Sequence, residues 1–144
     1  MAIQKFEDII AWQKSQDYAV GIYSIFSGLK DYSFKDQVSR AVVSISSNIA
    51  EGFDRQTNKE FIRFLYISLG SCSEVKSLLY LAFRLKYISE ETRNAWLEIG
   101  NEISRILRGL IQSMQKKSLP YSRKKGLIWQ SSVKKKEEDF FLPP

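Results

Sequence analysis

KEFIRFLYISLGSCSEVKSLLYLAFRLK, Lys59–Lys86, is the longest apolar stretch of the chain. Its apolar side chains return every three or four residues, which is the period of a helix. Phe61, Phe64, Leu65, Ser68, Cys72, Val75, Leu79 and Ala82 fall on one line. Ile62, Tyr66, Leu69, Tyr80 and Phe83 fall on a second, about a hundred degrees further round the helix. Thr57 or Asn58 can cap the start, and Glu60 suits the positive end of the helix dipole. Gly70, Ser71, Cys72 and Ser73 form a patch of small residues, where a neighbouring helix is expected to approach closely.

On the C-terminal side, Ser89 caps a segment running from about Glu90 to Lys117. Trp96, Ile99, Ile103, Ile106, Leu107, Leu110, Ile111 and Met114 supply its stripe. On the N-terminal side, Phe34, Val38, Ala41, Val42, Ile45 and Ile49 mark a helix from about Phe34 to Glu51, which Gly52 is expected to stop in a left-handed conformation. Ser44, Ser46, Ser47 and Asn48 are weak helix formers, so packing must hold that segment. A further helix, from about Glu7 to Phe26, carries Ile9, Trp12, Ala19, Ile22, Tyr23 and Phe26. Four amphipathic segments joined by short loops predict an all-α, antiparallel up-down-up-down four-helix bundle over residues 1–117. Pro120 blocks continuation of the last helix. Residues 118–144 form a separate, irregular tail, basic and aromatic in character.

The composition excludes more than it suggests. The 144 residues include one cysteine and no histidine, which removes an intrachain disulfide, Ser-His-Asp and Cys-His nucleophiles and histidine-bound zinc. No carboxylate spacing suggests a metal site or a pair of catalytic acids. The expectation is therefore no catalytic residue, no metal, no cofactor and no enzyme activity. Cys72, Trp12 and Trp96 read as core residues. No apolar run approaches the roughly 20 residues of a membrane span, and the start lacks an apolar signal core, so the expected location is the cytoplasm.

The net charge of +6 is unevenly placed. Residues 1–114 carry 14 basic and 13 acidic side chains, whereas residues 115–144 carry 8 and 3. In the bundle, Arg40, Arg55, Lys59 and Arg63 are the candidates for a phosphate-binding face. The alternative is a solvated polar face bridged to Asp36, Asp54 and Glu60. In the tail, Arg123, Lys124 and Lys125, then Lys134, Lys135 and Lys136, flank Trp129. Lysines release phosphate counterions and an indole stacks on bases, which fits nucleic acid. An anionic membrane surface, a partner protein or simple solvation fits the same composition.

FEDIIAWQKSQDYAVGIY, DQVSRAVVSISSNIAEGFDR and KEFIRFLYISLGSCSEVKSLL together resemble one family. It is the four-helix-bundle family encoded within intervening sequences of bacterial 23S rRNA genes, which also contains accessory variability proteins of diversity-generating retroelements. The resemblance covers about residues 5–115 and is most specific at SISSNIAEGFDR, Ser44–Arg55. It implies an antiparallel four-helix protomer, a ring-shaped homopentamer and a role beside RNA, RNA–DNA or a reverse transcriptase. The family pattern often has a second basic residue where this chain has Ser39, and usually a shorter C-terminus.

The double stripe supplies a physical reason to expect self-association. Leaving Ile62, Tyr66, Leu69, Tyr80 and Phe83 in water forgoes about 1.5–3 kcal/mol for each large aliphatic or Phe side chain. It also creates a patch of the kind that marks interfaces. These five residues are the expected oligomer interface. A ring of copies would sum even a modest basic face into a strong, multivalent field.

Overall fold

A computed structural model of the chain describes residues 3–116, and within them the backbone forms four α-helices with no strand. The helices are α1 (Ile10–Ile25), α2 (Tyr32–Phe53), α3 (Asn58–Arg84) and α4 (Glu90–Gln115). Loops of a few residues make each helix antiparallel to the next, in an all-α four-helix bundle. The tail candidates Arg123, Lys124, Lys125, Lys134, Lys135 and Lys136 lie outside the described residues.

Local chemistry explains the boundaries. Phe6–Asp8 forms a short 3₁₀ turn, so α1 starts three residues later than its apolar pattern suggests. The side chains of Asp31, Thr57 and Ser89 accept bonds from the backbone N–H of Phe34, Glu60 and Thr92 at 3.1, 3.2 and 3.1 Å. Each satisfies a donor that the first helical turn leaves unpaired. The Asp31 cap draws α2 back to Tyr32, ahead of the Phe34 start that apolar periodicity indicates.

One glycine reading is corrected and another is narrowed. Gly52 does not end α2 in a left-handed turn: it is helical and buried, and the helix runs on to Phe53. Its role is steric, because a Cβ there would sit 2.5 Å from Phe64 Cβ and 3.0 Å from Phe61 Cδ2. The close approach expected at the Gly70–Ser73 patch is made at Ser71, which bonds Ser44 of α2, and not at Gly70, where a Cβ would meet no side chain and no neighbouring helix within 4 Å. The left-handed residue is Lys86, with φ 63°. Around it, Lys86 N–H donates to Phe83 O and Tyr87 N–H to Ala82 O, both at 2.9 Å. This paired closure satisfies the last carbonyls of α3.

The core draws on all four helices. Tyr18, Ile22, Ile45, Ile49, Phe61, Leu65, Leu79, Ile103, Leu107 and Leu110 are almost wholly enclosed. Trp12 and Trp96 pack against this core half-buried, and Cys72 lies inside it. Two of the weak helix formers of α2 are held by tertiary bonds: Ser46 Oγ accepts from Gln16 of α1, and Ser44 Oγ from Ser71 of α3, both at 2.9 Å. The α1–α4 seam closes where the Trp96 ring fills the space beside Gly21, with Tyr18 Oη donating to the Trp96 carbonyl at 3.3 Å.

Candidate functional site

The α2–α3 hairpin brings two of the four basic candidates to one ring, with a third one helical turn away. Arg55, in the connecting turn, places its guanidinium 4.9 Å from the centroid of the Phe64 ring. Arg63, on the first turns of α3, approaches the same ring at 5.9 Å. Lys59 stands one turn before Arg63 on the same exposed side, because residues four apart share a helix face. The ring is placed by packing: Phe64 Cβ presses on the backbone of α2 at Gly52, where only a glycine leaves room. A guanidinium over an aromatic face is favourable, and the side chains remain in solvent with donors to spare.

Arg40 does not join this group. It lies on α2 about 20 Å along the axis from Arg55, at 1.5 Å per residue. It pairs instead with Asp36 at 3.0 Å, across one helical turn. The four residues therefore do not line a single face. Arg55 is also paired, with Glu51 at 3.4 Å rather than with Asp54 or Glu60. Both pairs are exposed, and such pairs contribute little and exchange readily for other partners.

The five residues of the second α3 stripe turn toward α4 and are partly covered by it. Ile62 and Leu69 are half-buried against the core. Phe83 lies beneath the Arg93 guanidinium at 4.4 Å, with Tyr80 beside it at 5.7 Å. Tyr66 accepts a bond from Gln115 Nε2 at 3.4 Å. Tyr66 and Tyr80 nevertheless stay 52% and 53% exposed. Helix α4 thus takes up part of the second stripe and leaves two tyrosines outward.

Sequence periodicity did not single out the opposite flank of α3. Ile67, Leu81 and Leu85 are 41–44% exposed there, in line with Ser71, Glu74 and the buried Leu78. The signal was present as a third three-and-four spacing, masked by the two stronger stripes. Between this flank and α2 runs a shallow groove lined by Ser33, Asp36, Gln37, Arg40, Ala41, Ser44 and Glu74.

The interior chemistry is quiet. Burial pushes the Cys72 thiol up to about 12, and burial also raises the Tyr18 hydroxyl above the usual phenol range. A protonated thiol held out of solvent is a poor nucleophile. Among the described residues no group of three His, Cys, Asp or Glu side chains is placed to hold a metal ion. No described helix is long and apolar enough to cross a membrane.

Known proteins share this fold. The family model described as 23S rRNA-intervening sequence protein matches residues 7–109. A solved structure from Bacteroides thetaiotaomicron VPI-5482, described as a protein of unknown function from the S23 ribosomal protein family, superposes with a TM-score of 0.67. That protein is 29% identical to this chain over 72% of this chain and 99% of its own. No curated protein matches the chain.

Proposed function

This chain belongs to the 23S rRNA-intervening sequence protein family, and from that premise we propose that it is a non-enzymatic, homo-oligomeric protein that binds RNA or RNA–DNA through phosphate contacts. The observation that carries the reading is the approach of Arg55 and Arg63 to the Phe64 ring, with Lys59 one helical turn before Arg63. Two guanidiniums and an ammonium on one exposed hairpin end offer phosphate donors without base-reading geometry. Among the described residues Lys59 and Arg63 face no acid at bonding distance, and the Arg55–Glu51 pair is exposed and weak. Copies packed through the stripe containing Tyr66 and Tyr80 would repeat this end and make binding multivalent. The tail clusters Arg123–Lys125 and Lys134–Lys136 would add further phosphate donors.

Filter binding or anisotropy with a structured RNA, across a salt series, tests the proposal. Affinity is expected to fall steeply as salt rises. Replacing Arg55, Lys59 and Arg63 by alanine is expected to flatten that slope by about one unit for each phosphate interaction removed. No retention at low ionic strength, or binding indifferent to the triple replacement, overturns it.

A second reading makes the bundle an accessory scaffold of a diversity-generating retroelement that docks a reverse transcriptase. Val20 and Tyr23 favour it, since they leave apolar surface exposed on α1 at 70% and 50%. Retention of RNA only when a reverse transcriptase is added would move the function there.

A further inference from the structure

The α3–α4 seam holds two cations that no acid among the described residues answers. Lys76, half-buried on α3, lays its stem across α4 at Gly100, where a Cβ would sit 3.2 Å from Lys76 Cγ and 3.4 Å from its Cδ. The glycine keeps that channel open, so the backbone of α4 fixes the course of the side chain. Its ammonium donates to Asn101 Oδ1 at 3.2 Å and to Ser104 Oγ at 3.5 Å. Both acceptors are neutral, and they use two of the three donors an ammonium carries. Arg108 stands one helical turn beyond Ser104 on the same side of α4. The three side chains converge on one neighbour: burial pushes the Cys72 thiol up to about 12, while Ser104, Lys76 and Arg108 pull it the other way. Among the described residues neither Lys76 nor Arg108 is ion-paired. Arg93, at the far end of the same seam, already has Glu90 at 3.5 Å.

A half-buried ammonium is unfavourable unless an opposite charge faces it, and a guanidinium nearby adds repulsion. Together they suit a tetrahedral oxyanion: a fixed point charge from the lysine and a planar fork of donors from the arginine. Two cations on one ligand favour a dianion over a single carboxylate, and a phosphate monoester carries close to two charges at neutral pH. We propose that Lys76 and Arg108 together hold a dianionic phosphate group at the α3–α4 seam. Such a group belongs to a free phosphate compound or to the terminal phosphate of an RNA, and the chemistry is common to both. The internal phosphates of a strand carry one charge each and match the pair less well. The site shares no residue with Arg55, Lys59 and Arg63, so it does not rest on RNA binding at the hairpin end.

The test is the melting temperature of the full chain carrying Arg55→Ala, Lys59→Ala and Arg63→Ala, which silences the hairpin cations. Inorganic phosphate is titrated against sodium chloride of equal ionic strength. Melting is expected to rise by several degrees, because a ligand bound only by the folded chain stabilises it. Phosphate also strengthens burial in any protein, so what counts is the part of the rise that Lys76→Met and Arg108→Gln remove. Each is expected to remove most of it. Methionine keeps an apolar stem beside Gly100, and Arg108 is exposed, so neither change unpacks the core. A short oligoribonucleotide bearing a terminal phosphate, beside its twin with a terminal hydroxyl, separates the sources. A variant-sensitive rise with inorganic phosphate assigns the site to a free compound; one with the phosphorylated oligonucleotide alone assigns it to an RNA end. No variant-sensitive rise with either probe, or an equal rise with the hydroxyl twin, overturns the proposal. A lower light-scattering mass in Lys76→Met, without a response to either probe, also overturns it, because a carboxylate of a second copy then answers the cations.

Discussion

Gly52 and Gly70 carry opposite expectations, although both sit inside helices. At Gly52 a methyl group meets Phe64 Cβ at 2.5 Å, and two backbones brought together by packing cannot both yield. Gly52→Ala is therefore expected to cost about 1–3 kcal/mol of stability. At Gly70 the methyl meets nothing, and Gly70→Ala is expected to add about 0.8–1 kcal/mol through helix propensity. Urea unfolding of the two variants beside the parent checks both signs. Lys86 occupies the left-handed region at φ 63°, which costs an L-residue about 1–2 kcal/mol. Glycine there gives back part of that through its freedom when unfolded, so Lys86→Gly is expected to stabilise by about 0.5–1 kcal/mol in the same measurement. Asp31 adds a pH signature. The Tyr87 hydroxyl, donating at 2.6 Å, and then the Phe34 N–H hold its carboxyl below the usual 3.8. A depressed folded value contributes stability above the unfolded value and loses it as pH falls through the folded one. The melting-temperature gap between the parent and Tyr87→Phe is thus expected to hold from neutral pH to mildly acidic pH and to shrink as pH drops below 3.8. A gap that stays constant into strong acid would sink this account.

Helix α3 is the element on which the bundle is organised. Its innermost line, from Phe61 through Leu65, Cys72 and Leu79 to Ala82, enters the core. One flank meets α2 through Ser68, whose hydroxyl donates to the Ile45 carbonyl at 2.9 Å, and through Ser71. The other meets α4 through Lys76, which donates to Asn101 Oδ1 at 3.2 Å. A helix with neighbours on two sides has need of more than one apolar line, so a double stripe is not in itself proof of a second copy. What exceeds the need of one protomer is narrower: Tyr66 and Tyr80 on one flank, Ile67, Leu81 and Leu85 on the other. The hydroxyls of the tyrosines reach water while their rings offer large rigid contact area, a combination enriched at interfaces.

For the whole molecule, the two tyrosines give the assembly reading its sharpest test. Tyr66→Lys combined with Tyr80→Lys places two charges on that flank without touching the core. The expected outcome is a smaller mass by light scattering with unchanged helical circular dichroism. A parent protein already monodisperse as a monomer at micromolar concentration ends the assembly reading, and the summed basic field ends with it.

Helix number, order and most boundaries were legible from residue spacing, because burial of one stripe per helix imposes a period that any close-packed partner satisfies. The cap at Ser89, and the choice of Thr57 or Asn58 for α3, were legible for the same local reason: a side-chain oxygen three residues before an unpaired N–H acts within its own turn. Other features depend on what lies across the gap between helices. Spacing could not tell that Gly52 serves Phe64 rather than a turn, or that Gly70 faces open solvent. Nor could it divide the basic residues, since Arg40 and Arg55 look alike among the charges of the chain, but Arg40 stands on the N-terminal half of α2 and Arg55 in the turn beyond its C-terminal end. Which flank of α3 a helix covers, and which it leaves bare, is decided by the placement of α2 and α4 around it. Periodicity follows from the chain alone; proximity between residues distant in sequence exists only once the helices have packed.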